Sequence, residues 1–303
     1  MAPRVLILLA AYNGERYLRE QIDSVLAQEG DFTLVLRIRD DGSSDGTAAV
    51  LEEYRSRFPD RVEVMSGGNI GYNANFFTLI DSAADCDYCA LCDQDDVWLP
   101  GKLQAAVGIL KKENGPALYA APSRMTDAAL HPAGLTRLQK RPLLPANTLI
   151  QNICPGHNQV MNRALLEIVQ RPRDVSLIYV YDLWIANLAA LYGVIRFDPT
   201  PRTLYRQHGN NELGSSGSTL GKLVKAGKRS LAGEGKKNQK QMAYFAEENR
   251  SALEQAGLYG AVQELLAADT FAKRARFAAH CPFYRQSRAE TLAFRAAVLL
   301  GKY

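Results

Sequence analysis

Residues Tyr88 to Leu103 read YCALCDQDDVWLPGKL. Tyr88 to Cys92 has the composition of a short buried strand. Three carboxylates, Asp93, Asp95 and Asp96, then arrive within four residues, followed by Val97, Trp98 and a Pro-Gly break. Carboxylates packed this closely repel one another unless a cation or hydrogen-bond donors offset the charge. Hard cations such as Mg²⁺ take oxygen ligands and keep positions open for substrate phosphates. An acidic turn that caps a helix starting near Lys102 has the same sequence, so the neighbouring segments must decide.

Upstream, Arg4 to Ala11 (RVLILLAA) is a continuous apolar run of the kind buried on both faces in a parallel sheet. Tyr12-Asn13-Gly14 breaks it, with Asn13 placed to cap the next helix. In that helix Leu18, Ile22, Val25 and Leu26 form an apolar stripe. Phe32 to Arg39 is a second strand, ending at DDGSSDGT (40–47) before a helix over Thr47 to Phe58. Val62 to Met65 is a third strand, and NIGYNAN (69–75) a turn-rich loop ahead of a helix from Phe76. This alternation means a mainly parallel sheet covered by helices. Ligands of such sheets bind beyond the carboxyl ends of the strands. Three loops should therefore meet there: Ala11–Gly14, Asp40–Asp45 and Asp93–Asp96. An acidic rim repels a bare phosphate, which makes a divalent cation its natural mediator. No G-x-G-x-x-G follows a strand and no Walker-type loop is present, against dinucleotide and P-loop chemistry.

The chain has 303 residues and 47% hydrophobic content, enough for a sizeable core and more than one typical domain. Five cysteines without framework spacing read as free thiols of a reducing compartment. Cys86, Cys89 and Cys92 lack the fourth ligand of a ferredoxin-type cluster, and period three on a strand scatters them over both faces. Val5–Ala11 runs into a helix pattern rather than a cleavage site, so it is not a signal segment. Leu177–Ile195 contains Asp182 and Asn187 and reads as a buried core helix rather than a membrane span. The net charge of +4 is uneven: Ser215–Tyr303 carries 15 Lys/Arg against 7 Asp/Glu. A basic tail of this kind faces an anionic partner.

AAYNGERYL, RDDGSSDGT, N-x-G-x-x-x-N and CDQDDVWLPGKL, in this order and spacing, resemble the inverting family 2 glycosyltransferases of GT-A fold. The D-Q-D-D-V-W-x-P-x-K form is similar to their bacterial rhamnosyltransferase branch. The resemblance covers roughly residues 3 to 213, and implies a GT-A catalytic domain over 1–213 with a basic helical region over 219–303. It implies that Asp41 accepts a hydrogen bond from the imide N–H of uracil or thymine, an edge suited to an acceptor-only carboxylate. Ala11 and Tyr12 would line the base pocket, Asp93 would sit near ribose and metal, and Asp95 would ligate Mg²⁺ or Mn²⁺ directly. Asp96 and Asp45 are expected as helix caps.

The second half resembles the acceptor side of that family. Asn152 to Asn162 (NICPGHNQVMN) leads irregularly into a strand, with Gly156 and His157 as acceptor-cleft candidates and a helix from Arg163. In YVYDLW (179–184), Asp182 matches the general base that takes the acceptor proton, and Trp184 lies with it on the acceptor side. Apolar neighbours would raise the pKa of Asp182 by desolvation; a simple N-cap aspartate occupies the same position. YRQH-x-x-N resembles the closing loop of that family, which implies His208 as a second metal or diphosphate contact and Arg206 as a diphosphate clamp. Ser215–Ser218 reads as a linker. The basic amphipathic run over 219–240 would meet a membrane surface peripherally, from the cytoplasmic side.

The implied reaction is inverting, metal-dependent transfer of a sugar, such as L-rhamnose from dTDP-L-rhamnose, to a glycan or lipid-linked acceptor. A transferase of the same fold using a UDP-hexose is the nearest alternative. A nucleotidyltransferase would carry a Gly-rich, Arg-containing signature after the first strand, which LAAYNGERYL lacks. A nucleic-acid-binding protein would interleave aromatic platforms with its cations, and Lys222–Lys240 has none.

Overall fold

The computed structural model describes residues 2–208 and 234–303. The expected Ser215–Ser218 linker, the basic run up to residue 233 and the expected 213/219 boundary lie outside the described residues. Packing divides the chain into two compact units. The first holds 1–138, 154–175 and 193–211; the second holds 139–153, 176–192 and 212–303. Segments 139–153 and 176–192 thus pack with the C-terminal helices, where sequence had assigned them to the catalytic domain. The ties are specific. The Gln286 side chain accepts from the backbone N–H of Lys140 and Arg141 and donates to Asn147, 2.7–2.8 Å. Gln241 accepts from the N–H of Tyr179 and Val180.

The first unit is built on seven strands: β1 (Arg4–Ala11), β2 (Thr33–Asp40), β3 (Val62–Ser66), β4 (Tyr88–Cys92), β6 (Ala117–Ala120), β9 (Val160–Asn162) and β10 (Val194–Phe197), in the order β10-β6-β9-β4-β1-β2-β3. All neighbours run parallel except β9, which is antiparallel to both β4 and β6. The sheet is mainly parallel, as the apolar runs predict. Val5, Ile7, Leu9 and Leu36 are fully buried in it, and Leu18, Ile22 and Val25 of α1 (Glu15–Leu26) supply the stripe that covers it. Further cover comes from α2 (Thr47–Arg57), α3 (Tyr72–Asp81), α4 (Lys102–Leu110) and α6 (Arg163–Val169). α3 begins four residues earlier than predicted, because Gly71 with φ +84° takes the sharp turn that releases the helix at Tyr72.

A small second sheet joins β5 (Val97–Trp98), β11 (Thr203–Arg206), β7 (Arg124–Thr126) and β8 (Pro132–Leu135). The β5–β11 pair matters most, since Thr203 faces Trp98 and Leu204 faces Val97. It brings the 206–208 segment to the acids that precede β5.

The second unit is helical: α5 (Pro145–Thr148), α7 (Tyr181–Tyr192), α8 (Glu234–Glu248), α9 (Arg250–Gln255), α10 (Tyr259–Leu266), α11 (Phe271–His280) and α12 (Arg288–Leu299). Trp184 stacks on Tyr244 at 5.3 Å and meets Phe245 edge-on at 5.1 Å. The apolar stretch around Asp182 is thus a core helix. Among the described residues no helix is long and apolar enough to cross a membrane.

Candidate active site

The three expected loops do meet at the carboxyl edge of the sheet, and side chains stitch them together. Asn13 accepts from Ser44 N–H at 2.8 Å, and its own N–H donates to Ser43 Oγ at 2.9 Å. Asn13 therefore does not cap α1; the capping position falls to Gly14, whose N–H is held by Thr47 Oγ1. Asp45 accepts from Thr47 N–H at the start of α2 and also from Glu15 N–H, joining two helix starts. Gln94 turns away from its acidic neighbours and clasps Tyr12, accepting from its N–H at 2.8 Å and donating to its carbonyl at 2.9 Å. Nothing in D-Q-D-D marks this residue out beforehand. Its closeness requires Gly14, where a Cβ would stand 2.3 Å from Gln94 Oε1.

At the centre, ligand atoms of Asp93, Asp96 and His157 lie within 4.8 Å of one another. His157 Nδ1 is 3.6 Å from Asp93 Oδ2 and 3.7 Å from Asp96 Oδ2, too long for hydrogen bonds. Asp96 is fully buried; its Oδ1 accepts from Arg206 N–H, while Oδ2 has no hydrogen-bond partner. Asp96 is thus no helix cap, since α4 starts at Lys102 after Gly101. Asp95 pairs with His208, Oδ2 to Nε2 at 2.7 Å. Burial, together with the charges of Asp95 and Asp93, pushes the Asp96 carboxyl well above the usual range. Burial and Asp93 likewise raise Asp95, against the pull of His208. A buried, unpaired carboxylate oxygen among mutually repelling acids is what a bound cation relieves. The two carboxylates suit a hard cation such as Mg²⁺ or Mn²⁺, and an imidazole donor beside them favours Mn²⁺ over Mg²⁺.

His157 is therefore beside the acids rather than at an acceptor surface. Its Nε2 lies 2.7 Å from Ser123 Oγ, and its ring stacks on Tyr205. Ser123 Oγ already accepts from Asn158 Nδ2 at 2.7 Å. The other ring nitrogen, Nδ1, faces the two carboxylates. Behind this chain sits Lys102, 1% exposed, donating to His157 O, Asn158 Oδ1 and Thr203 Oγ1 at 2.6–2.8 Å. Burial pulls its ammonium down to about 7, while three acceptors match the three N–H bonds of the charged form. Ser123 and Lys102 carried no signal in the sequence beyond the PGK triplet.

The remaining candidates divide. Ala11 is buried and accepts from Asp41 N–H, and Tyr12 is 45% exposed at the rim. Asp41 accepts from the N–H of Ile70 and Gly71 and pairs with Arg39 at 2.5 Å, so a base N–H must share these oxygens. Arg206 corrects the expectation of a diphosphate clamp. It is 3% exposed and spends its guanidinium on Asp95 O, Ala128 O and Glu20, above the Tyr17 ring. Gly156 lies in a buried single-turn helix, and Trp184 is core of the second unit, so neither presents an open acceptor surface. Asp182 is buried in the first turn of α7, one residue inside it rather than at its cap.

Residues 6–168 match the sequence profile of Glycosyl transferase family 2. The chain belongs to that family. Within it, the dTDP-rhamnosyl transferase RfbG of Shigella flexneri is 27% identical over 231 residues, 72% of this chain and 78% of the relative. A Mycobacterium bovis protein is 31% identical over 210 residues, 67% of this chain but only 58% of the relative. Among solved structures, Staphylococcus aureus TarS 1–349 in complex with UDP-GlcNAc superposes with TM-score 0.59 at 15% identity, covering 99% of this chain and 89% of that one. The likeness to TarS is one of fold, and with the family 2 match it makes this a GT-A glycosyltransferase.

Proposed function

We propose that this family 2 glycosyltransferase moves a sugar, with inversion, from a pyrimidine nucleoside diphosphate donor to a hydroxyl of a cell-surface glycan or lipid-linked acceptor. The supporting observation is the Asp93–Asp96–His157 cluster with Asp95–His208 beside it, at the sheet edge where the 11–14 and 40–45 loops join. Asp93, Asp96 and His157 would hold a divalent cation, with Asp95 beside them. Such an ion supplies Lewis-acid neutralisation of a departing diphosphate. Asp41, Ala11 and Tyr12 are the proposed base-binding residues. Asp182 is the proposed general base: its carboxylate takes the acceptor hydroxyl proton as that oxygen attacks the anomeric carbon and the sugar–phosphate bond breaks.

Similarity to RfbG favours a dTDP-linked L-rhamnose donor. The UDP and UDP-GlcNAc complexes of TarS favour the second reading, a UDP-hexose. Isotope-labelled transfer from a panel of dTDP- and UDP-sugars, with Asp95→Asn and Asp182→Asn as controls, separates them. Transfer from neither class, or transfer that survives both substitutions, overturns the proposal.

A further inference from the structure

The last two helices carry a surface that sugar transfer does not use. From Phe271 to Tyr303 there are seven Lys/Arg and one Asp/Glu. Phe271, Leu292 and Leu300 are 68%, 65% and 64% exposed, the highest values of any large apolar side chain among the described residues. On α12 the inward positions are Phe294 and Val298, both buried. Opposite them at helical spacing stand Ala289, Leu292, Ala293, Ala296 and, just past the helix end, Leu300, all exposed. A surface helix ordinarily turns polar residues to water. This one is apolar outward as well as inward. Exposed cations stand at both ends of the stripe, Arg288 at its start and Lys302 beyond its end, and α11 adds exposed Arg276 and Lys273, the latter ion-paired with Asp269 at 2.8 Å. The Arg274 guanidinium lies against Gly301, which brings the first turn of α11, with Phe271, to the Leu300 end of α12.

The charge selects the occupant. A second copy of the chain would set two strongly basic faces against each other, and like charges across an interface oppose association. We propose that this face rests on a lipid bilayer with anionic headgroups. Leu292, Leu300 and Phe271 enter the boundary between headgroups and acyl chains, and the bordering cations meet lipid phosphates. Helices of this composition lie in the plane of the interface, and each Lys or Arg near an anionic leaflet adds to the attraction. At twelve residues α12 is too short to span. The attachment is independent of which sugar or nucleotide the enzyme uses.

The test is co-sedimentation of the full chain with vesicles of phosphatidylcholine alone and of phosphatidylcholine mixed with phosphatidylglycerol. Binding to the mixed vesicles should be at least about tenfold tighter and fall with added salt. Leu292→Glu with Leu300→Glu should weaken it about tenfold or more, with the unfolding temperature unchanged because both side chains are exposed. Arg276→Glu with Arg288→Glu should erase the preference for the anionic mixture. Binding by the leucine variant equal to that of the parent overturns the proposal, as does equal binding to both vesicle types. A dimer in light scattering that the leucine variant dissolves would assign the face to a second copy instead.

Discussion

Asp96 and His157 face each other across 3.7 Å, the carboxylate oxygen without a hydrogen bond and the imidazole nitrogen turned towards it. The gap has the spacing of two ligands around one ion. Asp96→Asn should therefore act with opposite signs on two measurements. Without metal it removes a buried repelling charge and should leave the protein as stable or more so, by about 1 kcal/mol. With Mn²⁺ or Mg²⁺ at about a hundred times the parent's dissociation constant, the parent should gain about 2.7 kcal/mol and the variant little. Thermal unfolding with and without metal reads both.

Gln94 holds the backbone of Tyr12 at both its N–H and its carbonyl. Gln94→Leu leaves both groups without this partner and should cost about 1–2 kcal/mol in denaturant unfolding. Because Tyr12 is at the proposed base pocket, the KM for the nucleotide donor should rise while kcat changes less.

Lys102 joins three segments that are distant in sequence, through His157, Asn158 and Thr203. Lys102→Met fits the same volume but removes three buried hydrogen bonds and strands the His157 carbonyl, while Thr203 Oγ1 still donates to Asn158 Oδ1. It should cost roughly 2 kcal/mol or more. Metal binding should weaken alongside, because the His157 carbonyl loses its anchor. Unchanged metal affinity in a folded Lys102→Met protein would separate the lysine from the site.

Burial alone would raise the Asp198 carboxyl, but donors at Thr200, Arg202 and Tyr119 outweigh it and hold the pKa below the ordinary 3.8. A carboxyl lowered in the folded state contributes stability that is present above its unfolded pKa and fades as pH falls below it. The denaturation midpoint should thus drop between about pH 4 and pH 2. Asp198→Asn should lose roughly 1 kcal/mol at pH 6 and show a flatter acid limb.

The parallel sheet and the three loops at its edge were legible because their signals are local: apolar runs, turn residues and acids at strand ends. The grouping of side chains was not. Asp96 reads as a cap from its neighbours, but β5 interposes between it and α4. His157 reads as an acceptor residue from its place in the chain, yet strand pairing turns it to Asp93. Arg206 has the sequence context of a phosphate ligand, and Glu20, 186 positions away, claims it first. The inclusion of 139–153 with the C-terminal helices depends on Gln286, some 140 residues later. Contacts at such separations leave no periodic trace in a single sequence.

β9 runs against β4, with Cys89 opposite Met161 and Ala90 opposite Val160. One strand therefore ends in its acids at the place where the other begins from its histidine. Three residue pairs act as the ruler for the whole cluster, and the ruler has a coarse graduation, because strands slip in steps of about 3.3 Å per residue. A single residue inserted between Asn158 and Val160 would carry the imidazole a full step out of reach of the carboxylates, while leaving every one of those side chains in the polypeptide.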